Sequence, residues 1–170
     1  MESHRYLIYF AHGKDTGPEA TKINYLAQIA QSKGIAVESP DYSDIADPDE
    51  RVERLLQLVR DKSERLILVG SSMGAYVSIV ASATIKPKGL YLLAPAIFLE
   101  GYANQNPLPR AEVAMAVHGW NDEIVPVENV VRFAQQHAME LHVLDSDHCL
   151  LSVLPKLGEL FELFLDQVLK

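Results

Sequence analysis

Leu66-Ile67-Leu68-Val69-Gly70-Ser71-Ser72-Met73-Gly74-Ala75-Tyr76-Val77 is the stretch whose reading decides the fold. Its first four residues form an apolar run of the kind found in a strand buried on both faces. Residues 75–81 read as a helix packed on a sheet. Between them a Gly-x-Ser-x-Gly pattern falls where a strand turns sharply into a helix, the context that a nucleophile elbow requires. Such a turn strains the backbone at the serine and brings strand and helix into near contact. Gly70 and Gly74 give the room a side chain would occupy. Ser72 Oγ is then expected above the strand end, beside the first amides and the positive end of the helix, suited to a developing oxyanion. An ordinary glycine-rich turn with an inert serine is the alternative, so the rest of the chain must supply a base and an acid.

Outward from this stretch, strands and helices alternate. Residues 5–11 read as a central strand, ending in His12-Gly13-Lys14-Asp15-Thr16-Gly17. Thr16 and Glu19 have capping-box spacing and Pro18 suits a first turn, so a helix is expected from there to about Ser32, stopped by Gly34. Residues 35–39 form a short strand. Asp47-Pro48 opens a second helix with Val52, Leu55, Leu56 and Val59 at i, i+3, i+4 and i+7; Glu50, Arg51, Glu53 and Arg54 fall on the face read as solvated. Beyond the elbow, Lys86-Pro87 ends the helix and residues 89–94 form a fourth strand. Residues 95–110 are irregular. Residues 112–117 form a fifth strand, followed by a helix with Val127, Val130, Val131 and Ala134 on one stripe. Residues 140–144 form a sixth strand. The last helix runs from about Ser152 to Lys170, with Leu157, Leu160, Phe161, Phe164, Leu165 and Val168 on one side.

This alternation, with near-continuously apolar strands, implies a parallel sheet covered by helices on both faces: a three-layer α/β/α sandwich of about six mainly parallel strands. The chain of 170 residues suits one domain, 1–170, and its 48% hydrophobic content supports a real core. A net charge of −8 without a basic run argues against nucleic acid and against anionic membranes as partners. A single cysteine, Cys149, excludes an internal disulfide and a multi-cysteine metal site. No signal core or membrane-spanning run is visible, so a cytoplasmic location is the expectation.

In sheets of this kind functional groups gather at the carboxyl ends of strands. Four such loops, 12–16, 70–74, 118–123 and 145–149, carry polar residues able to do chemistry. A serine hydroxyl needs a base, and His148 is the candidate. A carboxylate must hold that ring in one tautomer, and Asp122 is the candidate, with Asp145 and Asp147 as competitors. The expectation is that Asp122 reaches the ring from outside the histidine loop, while Asp147 shapes that loop through local backbone hydrogen bonds.

On His12-Gly13, Gly70-Ser71-Ser72-Met73-Gly74, His118-Gly119-x-x-Asp122 with Val125-Pro126, and Asp147-His148, the chain resembles the α/β-hydrolase family, in particular its small members without a large lid. The resemblance spans nearly the whole chain. It implies catalytic roles for Ser72, Asp122 and His148, an oxyanion hole from the amides of Met73 and Lys14, and the strand order 2-1-3-4-5-6. The first two strands of larger family members have no counterpart, and only a short insert stands where relatives carry a cap domain.

The expected activity is hydrolysis of a carboxylic ester or thioester through an acyl-enzyme, on a small-molecule acyl substrate, with no cofactor and no metal. A catalytically silent fold serving as a protein-binding module, and an amide or carbon–carbon bond hydrolase on the same triad, are the alternatives. Trp120, Phe98 and Tyr102 are candidates for lining the substrate pocket, although the aromatic residues of 95–110 could equally belong to the core. His118 and His12 are expected to shape their loops, Lys14 to carry a solvated charge, and Cys149 to be a buried, inert thiol.

Overall fold

The computed structural model describes residues 5–62 and 64–170. Its elements are β1 (Tyr6–Ala11), α1 (Thr21–Ser32), β2 (Ala36–Glu38), α2 (Pro48–Val59), β3 (Arg65–Ser71), α3 (Met73–Ile85), β4 (Gly89–Leu93), β5 (Val113–Gly119), α4 (Val127–Gln136), β6 (Glu140–Leu144) and α5 (Leu154–Val168), with a 3₁₀ turn at Leu151–Val153. One sheet runs in the order β2-β1-β3-β4-β5-β6. Every neighbouring pair in it is parallel. That is the expected architecture, an α/β-hydrolase fold without a large cap.

The strands are apolar throughout because both faces are buried, and alternate residues serve opposite cores. Leu68, Leu90, Leu92 and Ala116 point to the side of α2, α3 and α4, where Val52, Leu55, Tyr76 and Phe133 pack. Ile67, Val69, Tyr91, Leu93, Met115 and Val117 point to the side of α1 and α5. There Phe161 and Phe164 are both inaccessible to solvent. Burying a side chain of that size stabilises the fold by roughly 1.5–3 kcal/mol. The α5 stripe is the one its period demands: Leu157, Leu160, Phe161, Phe164, Leu165 and Val168 are all buried.

Three local expectations are corrected. α1 starts at Thr21, not near Thr16, and Ala20 at its N-cap provides no side-chain cap. Thr16 Oγ1 instead accepts from Gly13 N at 3.1 Å, which ties the loop after β1 rather than a helix. In α4 the buried set is Val130, Phe133 and Ala134, while Val131 is exposed. Phe133 lies three residues from Val130, on the same face, whereas Val131 is rotated about 100° away. In α2 the expected Val52, Leu55 and Val59 are buried, but Arg51 is buried with them, at 2% exposure. The Asp47-Pro48 start holds, since the Asp47 carboxylate accepts from Asp49 N and Glu50 N.

Among the described residues, no helix is long and apolar enough to cross a membrane.

Candidate active site

The parallel sheet puts the carboxyl ends of β1, β3, β5 and β6 on one edge, and the four polar loops meet there. At the centre is Ser72, between β3 and α3, with φ 55° and ψ −115°. That conformation lies outside the regions L-residues ordinarily occupy. The surrounding bonds hold it: Ser72 N donates to Leu93 O at 2.9 Å, and Ser72 O accepts from Ala75 N, Tyr76 N and Ala96 N. The flanking glycines are required by close approach. A Cβ on Gly70 would stand 2.6 Å from Ala75 Cα, and one on Gly74 would strike the Ala11 carbonyl and stand 2.7 Å from His12 O. The elbow is therefore pressed against both its own helix and the end of β1.

His148 Nε2 lies 3.0 Å from Ser72 Oγ. Its Nδ1 lies 2.7 Å from Asp122 Oδ2. A carboxylate can only accept, so the ring proton is on Nδ1 and Nε2 accepts from the serine hydroxyl. The two loops come this close because Gly119 lacks a side chain: a Cβ there would strike the Ser146 carbonyl and stand 2.7 Å from Asp147 O. The Asp122 side chain is completely buried. Its Oδ1 accepts from Ile124 N at 2.9 Å and Val125 N at 2.8 Å. Burial pushes the Asp122 carboxyl up, but the hydrogen bonds from His148, Val125 N and Ile124 N more than offset this and hold it below its ordinary range. Neither competitor bonds to the ring. Asp145 accepts from Asn121 Nδ2, and Asp147 accepts from Cys149 N and Leu150 N, bracing the loop that carries His148.

His118 and His12 both lie under the site, almost inaccessible to solvent. His118 Nε2 donates to Val125 O at 2.9 Å. The same nitrogen is 3.3 Å from Asp122 Oδ2. Burial lowers the His118 pKa, with the nearby His148 lowering it further, against the raising effects of Val125 O and Asp122. A neutral His118 thus supports the acid loop without bringing a second cation to the carboxylate. His12 Nε2 accepts from Tyr42 N at 2.8 Å. Its Nδ1 therefore donates to Gly13 O, at 2.8 Å.

Arg51, which the helical pattern placed on a solvated face, anchors the same loop from below. Its Nε donates to Ile45 O at 2.7 Å. Its Nη1 lies 3.3 Å from His12 O and 3.2 Å from Gly13 O. Three backbone carbonyls explain why a guanidinium can be buried here. One signal for it was present: Arg51 stands four residues before Leu55, at the border of the apolar stripe.

The Gly13 N–H is used by Thr16 Oγ1, and Lys14, the next residue, lines the cleft. Met73 is the first residue of α3, so its N–H has no acceptor within the helix.

A cleft of about 690 Å³ opens over Ser72 and His148, walled by the 13–23 segment, Ala96, Leu99, Tyr102, Ile124 and Leu151. The irregular 95–110 segment is fixed as its wall. Asn129 Nδ2 donates to Ile97 O and Phe98 O. Tyr76 OH donates to Asp49 Oδ1 and accepts from Asn104 N. Tyr102 packs edge-on against Tyr76 at 4.8 Å between centroids.

Of the three aromatic residues expected to line the pocket, the structure brings only Tyr102 there. Phe98 is turned to α4, with Arg132 3.6 Å above its ring and Phe133 against its edge. Trp120 is 59% exposed, outside the cleft. Cys149, expected to be buried, is a free, exposed thiol on the cleft wall. Among the described residues no group of three or more His, Cys, Asp or Glu is disposed to hold a metal ion.

The chain is similar to a protein of Xanthomonas campestris pv. campestris assigned to the α/β hydrolase superfamily, with 28% identity, a TM-score of 0.85, and coverage of 96% of this chain and 99% of that one. An α/β serine hydrolase without a lid from Xanthomonas campestris aligns at 19% identity with a TM-score of 0.80, over 95% of this chain and 81% of that one. Est1E of Butyrivibrio proteoclasticus, solved with ferulic acid bound, aligns at 17% identity with a TM-score of 0.82, over 99% and 92%. These last two likenesses speak for the fold alone. No curated protein sequence matches the chain. A family model does match, over residues 6–105, from β1 through the elbow and into the cleft wall: the chain belongs to the Uncharacterised protein family (UPF0227).

Proposed function

We propose that the protein is a serine hydrolase that cleaves a carboxylic ester or thioester through an acyl-enzyme. The observation that carries this reading is the continuous hydrogen-bonded chain from Ser72 Oγ through the His148 ring to Asp122, 3.0 and 2.7 Å long at its two links. His148 Nε2 takes the proton as Ser72 Oγ attacks the substrate carbonyl carbon. Asp122 stabilises the imidazolium that forms and keeps the ring in the tautomer that can accept. The carbonyl oxygen becomes an oxyanion, met by the N–H groups of Met73 and Lys14 and by the positive end of α3. His148 then returns the proton to the leaving oxygen or sulfur as the carbonyl bond to it breaks. A water, deprotonated by the same nitrogen, attacks the acyl-Ser72 carbonyl; the bond to Ser72 Oγ breaks, His148 returns the proton to Oγ, and the acid is released.

Three further features support this reading. Ser72 is held in a backbone conformation that costs on the order of 1–3 kcal/mol to maintain. The cleft wall is largely apolar at Ala96, Leu99, Ile124 and Leu151, as an acyl group needs. The ferulic acid seen in the Est1E structure is a carboxylic acid, the product class that ester cleavage releases.

The test is covalent. A fluorophosphonate should label Ser72, mapped by mass spectrometry, and Ser72→Ala should lose both labelling and hydrolysis of short-chain 4-nitrophenyl esters. Labelling at Ser71 or Cys149, or an absence of labelling in folded protein, would replace this reading with that of a catalytically silent binding module. A panel of ester, thioester and amide substrates then fixes the bond cleaved.

A further inference from the structure

Of the charged side chains on the cleft wall that the hydrolytic cycle does not use, one is recessed from solvent. Lys22, in the first turn of α1, lines the same cavity as Ser72 and His148. It is half-buried. Among the described residues it makes no ion pair and no side-chain hydrogen bond, whereas Lys33, Lys62, Lys88 and Lys156 each hold a carboxylate. A recessed ammonium without a partner is costly, because the charge loses water and gains nothing in exchange.

Its surroundings sharpen the point. α1 has no acidic residue in its first turn and no side-chain cap. The amides of Thr21, Lys22 and Ile23 therefore lack intrahelical acceptors, and the positive end of the helix dipole adds to the lysine charge. Burial lowers the Lys22 pKa, with Cys149, Asp147 and Asp122 offsetting this only in part. Cys149, next to His148, lines the same cleft as Lys22 and Ser72. Asp147 and Asp122 already accept two backbone N–H bonds each. The other charges on the wall, Lys14, Asp15 and Glu19, are exposed, so water screens them.

Resting on the hydrolase reading above, we propose that Lys22 is a specificity determinant: it selects esters or thioesters that carry an anionic group, a carboxylate or phosphate, a few atoms from the scissile carbonyl. The anion seats between the Lys22 ammonium and the uncapped start of α1. It supplies the counter-charge that the protein leaves out.

Two matched substrate pairs test this and separate the acyl side from the leaving-group side. The first is mono-4-nitrophenyl glutarate against 4-nitrophenyl butyrate; the second is 4-acetoxybenzoate against its methyl ester. One pair should show a kcat/KM preference for the charged member of ~10-fold or more at low salt, as expected for one partly buried ion pair. Lys22→Met should bring that ratio to about one, and Lys22→Arg, which keeps the charge, should retain most of it. Lys156→Met, a surface control, should leave the ratio alone. Equal kcat/KM within both pairs, or a preference that survives Lys22→Met, overturns the inference and leaves the hydrolase reading intact. Calorimetry on Ser72→Ala gives a readout free of turnover. Monomethyl glutarate should bind more tightly than methyl butyrate, and Lys22→Met added to Ser72→Ala should remove the difference. That result in a protein that turns over no ester would overturn the hydrolase reading and keep the anion site.

Discussion

Two clefts of nearly equal size sit at opposite ends of the same sheet. The one at the carboxyl ends of the strands measures about 690 Å³. The other, about 610 Å³, lies at the amino ends of β3 and β4. Each has a residue with positive φ at its rim, and the difference between the two residues is instructive. Lys86 (φ 51°, ψ 59°) is the left-handed residue that ends α3, a common use of that conformation. Ser72 (φ 55°, ψ −115°) ends no helix and lies outside that well. The amino-end cleft is rimmed by Arg60, Lys62, Arg65, Lys86 and Lys88. Lys62 is paired with Glu38 and Lys88 with Glu112, and Arg65 lies over the Tyr6 ring. At the carboxyl end the Asp122 carboxylate and the His12 and His118 rings are buried beneath the cleft, and among the described residues the half-buried Lys22 on its wall makes no ion pair. Volume does not distinguish the two ends. Strain without a structural use, and polar groups buried at a cost, do.

If that distinction is sound, the largest loss should come from a single carboxylate at the carboxyl end. Asp122→Asn keeps the shape but removes the acceptor that fixes the His148 tautomer. In a related triad the cost is ~10⁴ in kcat, and a loss of that order is expected here with KM little changed. Asp145→Asn and Asp147→Asn should lose far less, since neither carboxylate touches the ring. Steady-state kinetics on the three variants, with Lys86→Ala as the amino-end comparison, check this. A crippling Asp147→Asn with a mild Asp122→Asn would show that the acid is misassigned.

A smaller effect, on stability, is expected at Arg51. Arg51→Met leaves the carbonyls of Ile45, His12 and Gly13 short of a donor in a buried position, which costs about 1–3 kcal/mol for a group left unsatisfied. The loop it releases carries the Lys14 amide, so kcat should fall together with the urea midpoint. Lys62→Ala, at the other end, removes only an exposed ion pair with Glu38, worth about 0–1 kcal/mol, and should not alter turnover. Equal shifts in the two variants would mean that buried and exposed charges here contribute alike, contrary to the contrast between the clefts.

Arg51 also shows where sequence reading stops. The strands and the elbow were legible because strand, tight turn and helix leave local marks: apolar runs, paired glycines and a change of period; the strand order came from the resemblance to the α/β-hydrolase family. The meeting of Ser72, Asp122 and His148 was legible because each follows its own strand, and a parallel sheet brings such loops to one edge. Arg51 was not, because its burial depends largely on the carbonyls of His12 and Gly13, 39 and 38 residues away in the chain, and a helical pattern scores any charge as solvated. Thr16 has the spacing of a capping box, but its hydroxyl finds Gly13 N first. Trp120 and Phe98 follow the right strands, but which way a loop side chain turns depends on tertiary neighbours such as Arg132 and Phe133. Lys22 looked like any polar residue of a helix; only the cleft around it makes its missing partner visible.

The smallest effect concerns acid, and it too should separate the two ends. His12 and His118 sit beneath the carboxyl-end loops, and both have pKa values lowered from 6.5, in each case chiefly by burial. Their hydrogen bonds say why a second proton is unwelcome. His12 Nε2 accepts from Tyr42 N, so protonating it would set two donors against each other. His118 Nδ1 is buried with no partner, so a proton there would find no acceptor. In the unfolded chain these rings protonate near 6.5; in the folded protein they do so at lower pH. Between those values the unfolded state binds more protons, so stability rises with pH. Their contribution is complete above about pH 6.5 and is lost as pH falls through the folded values, with a slope of at most ~1.4 kcal/mol per pH unit for each ring. The carboxylates act in a lower window. Asp122, lowered from 3.8, and Glu38, the partner of Lys62, lowered from 4.5, keep their contribution until acid reaches those ranges. Urea unfolding followed from pH 8 to pH 4 should therefore be flat above pH 7 and fall from about pH 6.5, above the range in which Asp122 and Glu38 take up protons. Hydrogen exchange over the same range should place the first loosening in segments 12–16 and 118–125 rather than around Lys62 and Lys88. A midpoint that stays level down to pH 4.5 would mean that neither buried histidine resists its proton, and the carboxyl end would lose its claim to be the costlier one to maintain.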